Sequence, residues 1–301
     1  MTIKVILNPY SNRWNAKNRW TEAESALRAA GVEFDLSVSE HTDHIVDLAA
    51  DAVRSGFSTL IVAGGDGSIG EAVNGAAKSW DTKSAFPVTI GVLPLGTAND
   101  LGDNIGIPRD LSEVARMIVN GKTRQIDLGK CNERYFINNS AAGLEPYVST
   151  KQEKIKWISG VPRYLVAAVL GIMDKPNWNA KIEWDGGSYE GPLSLVSVGN
   201  GQRTGGVFYM TPHADPFDGR LTFMHGYRST RLGMFVALPS AMKPAEGNIA
   251  ELAGIVEVDC TWLKFSLDKP SPAHTDGELF DEWIKDFEYK IFPSAVPILV
   301  P

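Results

Sequence analysis

The first 120 residues alternate short apolar β-type runs with amphipathic helical stretches. Residues 3–7, Ile-Lys-Val-Ile-Leu, predict a strand that ends in the turn Asn8-Pro9-Tyr10-Ser11-Asn12. Residues 14–30 predict a helix stopped by Gly31, and 34–38 a second strand. Thr42 is placed to cap a helix that carries Ile45, Val46, Leu48, Ala49 and Val53 and ends at Gly56. Residues 59–63 read as a buried strand feeding Gly64-Gly65-Asp66-Gly67, with a helix over 68–78 and a strand over 88–93 to follow. Regular alternation of this kind predicts a parallel sheet covered by helices, an α/β domain.

After Gly121 the pattern changes. Short β-type runs at 124–131, 135–139, 180–184, 193–198, 220–225, 255–260 and 262–267 are separated by turns such as Asp185-Gly186-Gly187 and Asp218-Gly219. Only 154–173 and 230–238 have helical character. This half predicts an all-β sandwich. The expected domains are 1–122 and 123–287, and the Pro-rich tail from Phe292 packs on one or the other. In one arrangement residues 288–301 complete the first domain.

Composition narrows the function classes. With 44% apolar and 22% charged residues, the 301-residue chain is a folded protein. Its 29 basic against 36 acidic residues give a net charge of −7, which argues against a nucleic-acid partner held by phosphate neutralisation. Cys131 and Cys260 show neither disulfide nor metal-ligand spacing, which suits a reducing compartment. The chain starts directly on a strand, without the sections of a signal peptide. Its most apolar helical run, 164–173, is about half the roughly 20 residues a bilayer requires. A soluble, cytoplasmic protein is expected.

The sharpest local feature is Gly64-Gly65-Asp66-Gly67-Ser68-Ile69-Gly70-Glu71 between a strand and a helix. Glycines let the backbone approach a ligand, and N–H groups at a helix start attract phosphate. A carboxylate within such a site implies an intervening divalent cation, so Asp66 predicts Mg²⁺ with a polyphosphate. Gly65-x-Gly67-x-x-Gly70 also matches the dinucleotide fingerprint, but it follows the third strand and the next strand offers no acid for a ribose. A tight turn without a ligand is the plainer alternative. A second polar loop, Leu93 to Gly102, follows the fourth strand and supplies Thr97, Asn99 and Asp100; the plainer alternative is that Thr97 or Asn99 is only a helix cap.

With these loops in view, the chain resembles the diacylglycerol kinase catalytic-domain family, in its soluble bacterial branch related to sphingosine and ceramide kinases. The resemblance rests on ordered elements: Asn8-Pro9-x-Ser11, Thr42, Gly64-Gly65-Asp66-Gly67-Ser68, Pro94-Leu95-Gly96-Thr97-Ala98-Asn99-Asp100, Ala214-x-x-x-Asp218-Gly219-x-Leu221 and Asp276-Gly277-Glu278. It implies an N-terminal nucleotide-binding domain similar to phosphofructokinases and NAD kinases, a C-terminal β-sandwich, and ATP with Mg²⁺ as cofactors. Nucleotide contacts are implied for Asn8, Pro9, Tyr10, Ser11, Asn12, Thr42, Gly65, Asp66, Gly67, Ser68, Ile69, Gly70, Glu71 and Thr97. Glu278 is implied as the base, with Asp66 and Asp276 as further catalytic residues, and Asp215, Asp218 and the Arg220 carbonyl as a structural Mg²⁺ site.

Two positions depart from the family pattern: Asn12 stands for a glycine, and Gly70 removes an amide. The implied substrate is a lipid alcohol met at a membrane surface, with a homodimer left open. The stretch around Trp157, Ile158, Val161, Tyr164, Leu165, Val169, Leu170 and Ile172, near Lys154, Lys156 and Arg163, is either a membrane face or core. Rival readings are an NAD kinase or phosphofructokinase-like small-molecule kinase, and a non-catalytic nucleotide or lipid sensor. His213, His225 and His274 are expected at the surface or in turns, and Asp276-Gly277 is equally a hairpin signal.

Overall fold

A computed structural model describes residues 2–12, 15–155, 157–158 and 161–301. The chain divides into two compact units, Met1–Leu128 with Pro293–Pro301, and Gly129–Phe292.

In the first unit, β1 (Ile3–Leu7), α1 (Asn15–Ala29), β2 (Asp35–Val38), α2 (His44–Arg54), β3 (Thr59–Gly64), α3 (Asp66–Ala77) and β4 (Thr89–Pro94) follow one another. The short α4 (Asp100–Asn104), α5 (Leu111–Asn120) and β5 (Thr123–Cys131) complete the series. The sheet runs β2-β1-β3-β4 and is parallel throughout, with Ile3–Leu7 in register with Thr59–Ala63. Ile298 adds a parallel pairing to Ile90, so the tail is a strand on the far side of β4. Both faces of β3 are buried along its whole length, as its unbroken apolar sequence requires of a central parallel strand. Leu27, Ile45, Ile69, Val73, Val114 and Ile118 are the buried side chains that the helices contribute to the core of this unit.

Several helix ends differ from expectation. α3 begins at Asp66 instead of Ser68, so Gly67 and Gly70 lie inside the helix. Thr42 does not cap α2: Asp43 occupies that position at φ 61° and makes no side-chain cap bond. α5 was not expected, although Asp110 caps it by accepting the Glu113 N–H and Gly121 ends it at φ 63°. The expected helical residue Trp14 lies outside the described residues.

The second unit adds β6 (Arg134–Phe136), β7 (Asn139–Gly143), α6 (Leu144–Lys154), α7 (Val161–Asp174), β8 (Trp178–Trp184), β9 (Gly187–Leu193) and β10 (Leu195–Gly199). There follow β11 (Arg203–Thr204), β12 (Phe208–Tyr209), β13 (Leu221–Gly226), α8 (Arg231–Ala241), β14 (Ile255–Cys260), β15 (Trp262–Ser271), β16 (Ala273–Thr275), β17 (Glu278–Leu279) and β18 (Ile284–Leu299). One antiparallel sheet has the order β14-β13-β10-β7-β16-β17. In the other, β9, β8, β15 and the first half of β18 are antiparallel neighbours. Val196, Val198, Leu221 and Phe223 from one sheet meet Ile182, Leu263, Phe265, Phe287 and Tyr289 from the other, forming a β-sandwich core.

Of the expected helix over 154–173, residues 161–173 lie in α7, Lys154 is the last residue of α6, a helix not expected, and Lys156 lies outside the described residues. The expected strand 135–139 divides into β6 and β7, and the run 193–198 is shared between β9 and β10. His225 and His274, expected at the surface, are buried.

Candidate active site

Parallel strands place all their following loops on one rim of a sheet. In the order β2-β1-β3-β4, the chain leaves β1 toward β2 on one side and returns to β3 on the other, so the switch point lies between β1 and β3. Ligands of open α/β sheets bind at that point. The loop after β1 and the glycine loop after β3 stand on either side of it.

Side chains tie these loops together. The Asn8 amide donates to Ser68 Oγ at 2.9 Å, and the Ser11 and Ser68 hydroxyls lie 3.3 Å apart. Thr97 donates to Asn12 Oδ1 at 3.1 Å, linking the loop after β4 to the loop after β1. Asn12 adopts φ 52°, which asparagine tolerates in place of the family's glycine. Tyr10 donates to the Glu40 carbonyl at 2.8 Å, reaching the loop that carries the exposed Thr42. The rings of His41 and His44 stack there, 4.3 Å apart.

The loops after β3 and β4 touch through their backbones. A Cβ on Gly96 would lie 2.4 Å from the Gly65 Cα and 2.7 Å from Asn99 Oδ1, so only glycine fits. Asn99 does not cap α4 with its side chain; its amide accepts the Gly96 N–H and donates to the Gly96 carbonyl, bracing the turn. Two arginines outside the expected site residues support the same loop. Arg19 donates to the Pro94 carbonyl at 3.1 Å, and Arg109 donates to the Ala98 carbonyl while pairing with Asp103. Nothing in the sequence around either arginine marks it.

Asp66 opens α3, whose cap residue Gly65 has no side chain to offer the first N–H groups. Its carboxylate accepts the Leu101 N–H at 2.9 Å and so holds the two loops in place. Burial, and next the charge of nearby Asp100, raise this carboxyl to about 6. Two acids crowded at a helix start form a donor set that a hard divalent cation would satisfy. Ser68, Ile69 and Gly70 are buried. The expected nucleotide contact of the Ile69 side chain is therefore corrected: it packs in the core, and its N–H bonds the Gly65 carbonyl.

In the second unit, Asp276-Gly277 is a two-residue hairpin turn between β16 and β17, with φ 49° and 89°. The buried Asp276 carboxylate accepts N–H groups from Ile137 and Asn138 at 2.9 Å and Asn139 at 3.0 Å. The expectation of Asp276 as a catalytic residue is corrected accordingly: its oxygens are bonded by backbone, and it positions the turn. Glu278 follows on β17 with an exposed side chain, and its carbonyl accepts from Arg134.

Asp215 and Asp218 are exposed and accept the Phe217 and Arg220 N–H groups of their own turn. Among the described residues no three His, Cys, Asp or Glu side chains form a metal set, so a cation here would also draw on carbonyl and water oxygens. Cys131 and Cys260 are buried, and burial pushes their thiols to about 11 and about 12. Neither is a nucleophile at neutral pH.

Both halves of the chain are similar to known proteins. The family model described as the diacylglycerol kinase catalytic domain matches residues 2–131. That described as the YegS C-terminal NAD kinase beta sandwich-like domain matches 138–300. A protein named diacylglycerol kinase from Staphylococcus carnosus (strain TM300) is 30% identical over 278 residues, 91% of this chain and 88% of that one. Another so named, from Staphylococcus aureus (strain bovine RF122 / ET3-1), is 31% identical over 240 residues, 79% and 75% of the two chains. A crystal structure of a diacylglycerol kinase from Bacillus anthracis str. Sterne shares the fold, with TM-score 0.75 and 19% identity over 100% of this chain and 97% of that one. With both halves matched in order and a relative 30% identical over 91% of this chain, the chain belongs to the bacterial diacylglycerol kinase family.

Proposed function

We propose that the protein is an ATP-dependent lipid kinase that phosphorylates the hydroxyl of diacylglycerol or a related lipid alcohol. One observation carries the reading most: three loops from β1, β3 and β4 are bonded together around the start of α3, with Gly65 against Gly96. Such a backbone surface suits a nucleotide's phosphates. Asp66 and Asp100 would hold Mg²⁺, which when bound neutralises phosphate charge. Asn8, Ser11, Asn12, Ser68 and Thr97 supply the polar rim.

Glu278 is the proposed base. As the lipid oxygen bonds to the γ-phosphorus, the bond to the β-phosphate oxygen breaks, ADP leaves, and the hydroxyl proton passes to the Glu278 carboxylate. Its place directly after a rigid hairpin keeps that carboxylate on a fixed backbone. Asp215, Asp218 and the Arg220 carbonyl are proposed as a separate structural cation site.

Contact with lipid is proposed through exposed apolar residues of α7 and α8. Val169, Leu170 and Met173 are exposed on α7, and Leu232 and Val236 on α8. The Arg231 guanidinium bonds the Met173 carbonyl, bringing the end of α7 to the start of α8. Trp157 is exposed nearby in sequence, whereas Leu165 and Ile172 pack inward. Among the described residues no helix is long and apolar enough to cross a membrane, so the expected mode is peripheral.

The test is transfer of label from γ-labelled ATP, with Mg²⁺, to dioleoylglycerol in mixed micelles, with NAD and fructose 6-phosphate as competing acceptors. Labelled phosphatidate is expected. Label in NAD or fructose 6-phosphate, or in no acceptor, would overturn the proposal.

A further inference from the structure

His274 is a buried titratable side chain that the proposed chemistry does not use. It stands on β16, just before the Asp276-Gly277 turn, in register with Ala141 of β7 and Leu279 of β17. Its carbonyl accepts the Ser140 hydroxyl at 2.7 Å, so its backbone is well fixed.

The ring lies between two partners of opposite kind. Nε2 is 3.1 Å from the buried Glu145 carboxylate, which comes from the first turn of α6 and also accepts the Ser197 hydroxyl. A carboxylate accepts, so Nε2 carries the proton. Nδ1 is 3.4 Å from the Gly277 nitrogen, whose N–H only donates, so Nδ1 presents its lone pair. Both contacts select the same neutral tautomer. Ser197 bonds Glu145 and not the ring, so the group is not an activated hydroxyl nucleophile.

The Gly277 contact bears on Glu278. Glycine has no side chain to anchor it, and the ring fixes the peptide just ahead of Glu278. From β6, Arg134 donates to the Glu278 and Leu279 carbonyls at 3.3 and 3.2 Å, with its guanidinium 4.2 Å from the Phe280 ring centre. Glu278 is thus held between two anchored peptides. At 3.4 Å the bond to the ring is long, so it weighs less in stability than in direction.

We infer that His274, kept as the neutral Nε2–H tautomer by Glu145, is a positioning residue for Glu278, acting through the Gly277 N–H. The inference rests on Glu278 being the base. Misplacing a catalytic group by about 1 Å can cost about 10²-fold in rate.

Two substitutions separate the ring's contacts. His274→Asn sets an amide oxygen near the place of Nδ1 and keeps the Gly277 bond, but takes a donor from buried Glu145. His274→Gln sets an amide nitrogen near the place of Nε2 and keeps Glu145 satisfied, but takes the acceptor from Gly277. The Asn variant should therefore melt below the Gln variant. Turnover should run the other way: kcat about tenfold or more below wild type for Gln, and within about threefold for Asn, with the KM for ATP unchanged in both. Nitrogen NMR of histidine-labelled protein should show the His274 ring, assigned by its loss in either variant, as the Nε2–H tautomer. Gly277 amide exchange should quicken in His274→Gln.

A kcat that follows the melting temperature would overturn the inference. So would an Nδ1–H tautomer or an imidazolium at the assay pH, or equal Gly277 exchange in wild type and His274→Gln. The spectra and the exchange need no turnover, and the Gln variant with the wild type carries the test if His274→Asn does not fold. Glu278→Gln is measured alongside. Full turnover there would remove the base, and this inference with it; lost turnover there, with wild-type kcat in His274→Gln, would remove this inference alone.

Discussion

Asp276 offers the most quantitative test of the second unit. Its carboxylate accepts three backbone N–H groups, from Ile137, Asn138 and Asn139, and the residue is 3% exposed. Substitution by Asn keeps an oxygen for the two donors that share Oδ1. It sets an NH₂ against the Ile137 N–H and removes the charge from the remaining bonds. The loss of one buried bond and the weakening of two others should cost about 2–3 kcal/mol. Asn also tolerates the positive φ of this position, so the Asn variant isolates the hydrogen bonds from backbone strain.

Asp276→Ala leaves all three donors unpaired and adds left-handed strain, for a loss of about 4–6 kcal/mol. That approaches the whole stability of many domains. Urea unfolding followed by circular dichroism measures both. The expected order is wild type, then Asn, then Ala, with Asn clearly separated from wild type. An Asn variant within about 0.5 kcal/mol of wild type, the size of an ordinary surface effect, would refute the clamp. A turnover loss in that variant at unchanged stability would restore Asp276 to the chemistry.

Other predictions address the remaining parts. Glu278→Gln should lower kcat by about 10²–10⁴ while ATP affinity stays level, and steady-state kinetics with direct nucleotide titration separate the two. Gly96→Ala forces its Cβ onto the Gly65 backbone, so ATP binding should be lost before the unit unfolds; unchanged binding would mean that the loops are not in contact. The folded Asp66 carboxyl holds its proton more tightly than the unfolded one. Without metal, stability should therefore fall as pH rises above the ordinary 3.8, the full cost being reached above about 6. Asp66→Asn should flatten that slope in thermal melts across pH 4–7, and an identical slope would place its cause elsewhere. Leu170→Glu, on an exposed position, should reduce sedimentation with anionic liposomes and leave the melting temperature unchanged.

The α/β half was legible in the sequence because each element carries its own period and its own stop. β3 is an unbroken apolar run, and Gly31 and Gly56 end α1 and α2 at positive φ. Capping was read less well. Asp110 followed by Glu113 is an N-terminal signal and Gly121 a C-terminal one, so both ends of α5 are marked in the sequence although its period was not among the expected elements. At Thr42 a good capping residue stands one position too early.

The sandwich was harder because its strands borrow polar residues for tertiary bonds. Asn139-Ser140-Ala141-Ala142-Gly143 has no β-branched residue, but it is a buried central strand between β10 and β16. His274 is buried because Glu145 and the Gly277 N–H satisfy its ring, partners more than 100 residues apart for the former and local for the latter. In the candidate site, glycines and their neighbours were legible as a motif. The burial of Ile69, the tie between Asp66 and Leu101, and the Arg19 and Arg109 braces come from tertiary placement.

The central claim, that the loops after β1, β3 and β4 hold a metal-bound nucleotide, is tested most directly by titrating ATP into the protein with Mg²⁺ and again with EDTA. Saturable one-to-one binding that requires Mg²⁺ and is abolished by Asp66→Ala in a folded variant is the predicted result. Binding indifferent to both metal and Asp66, or no binding at millimolar ATP, would contradict it.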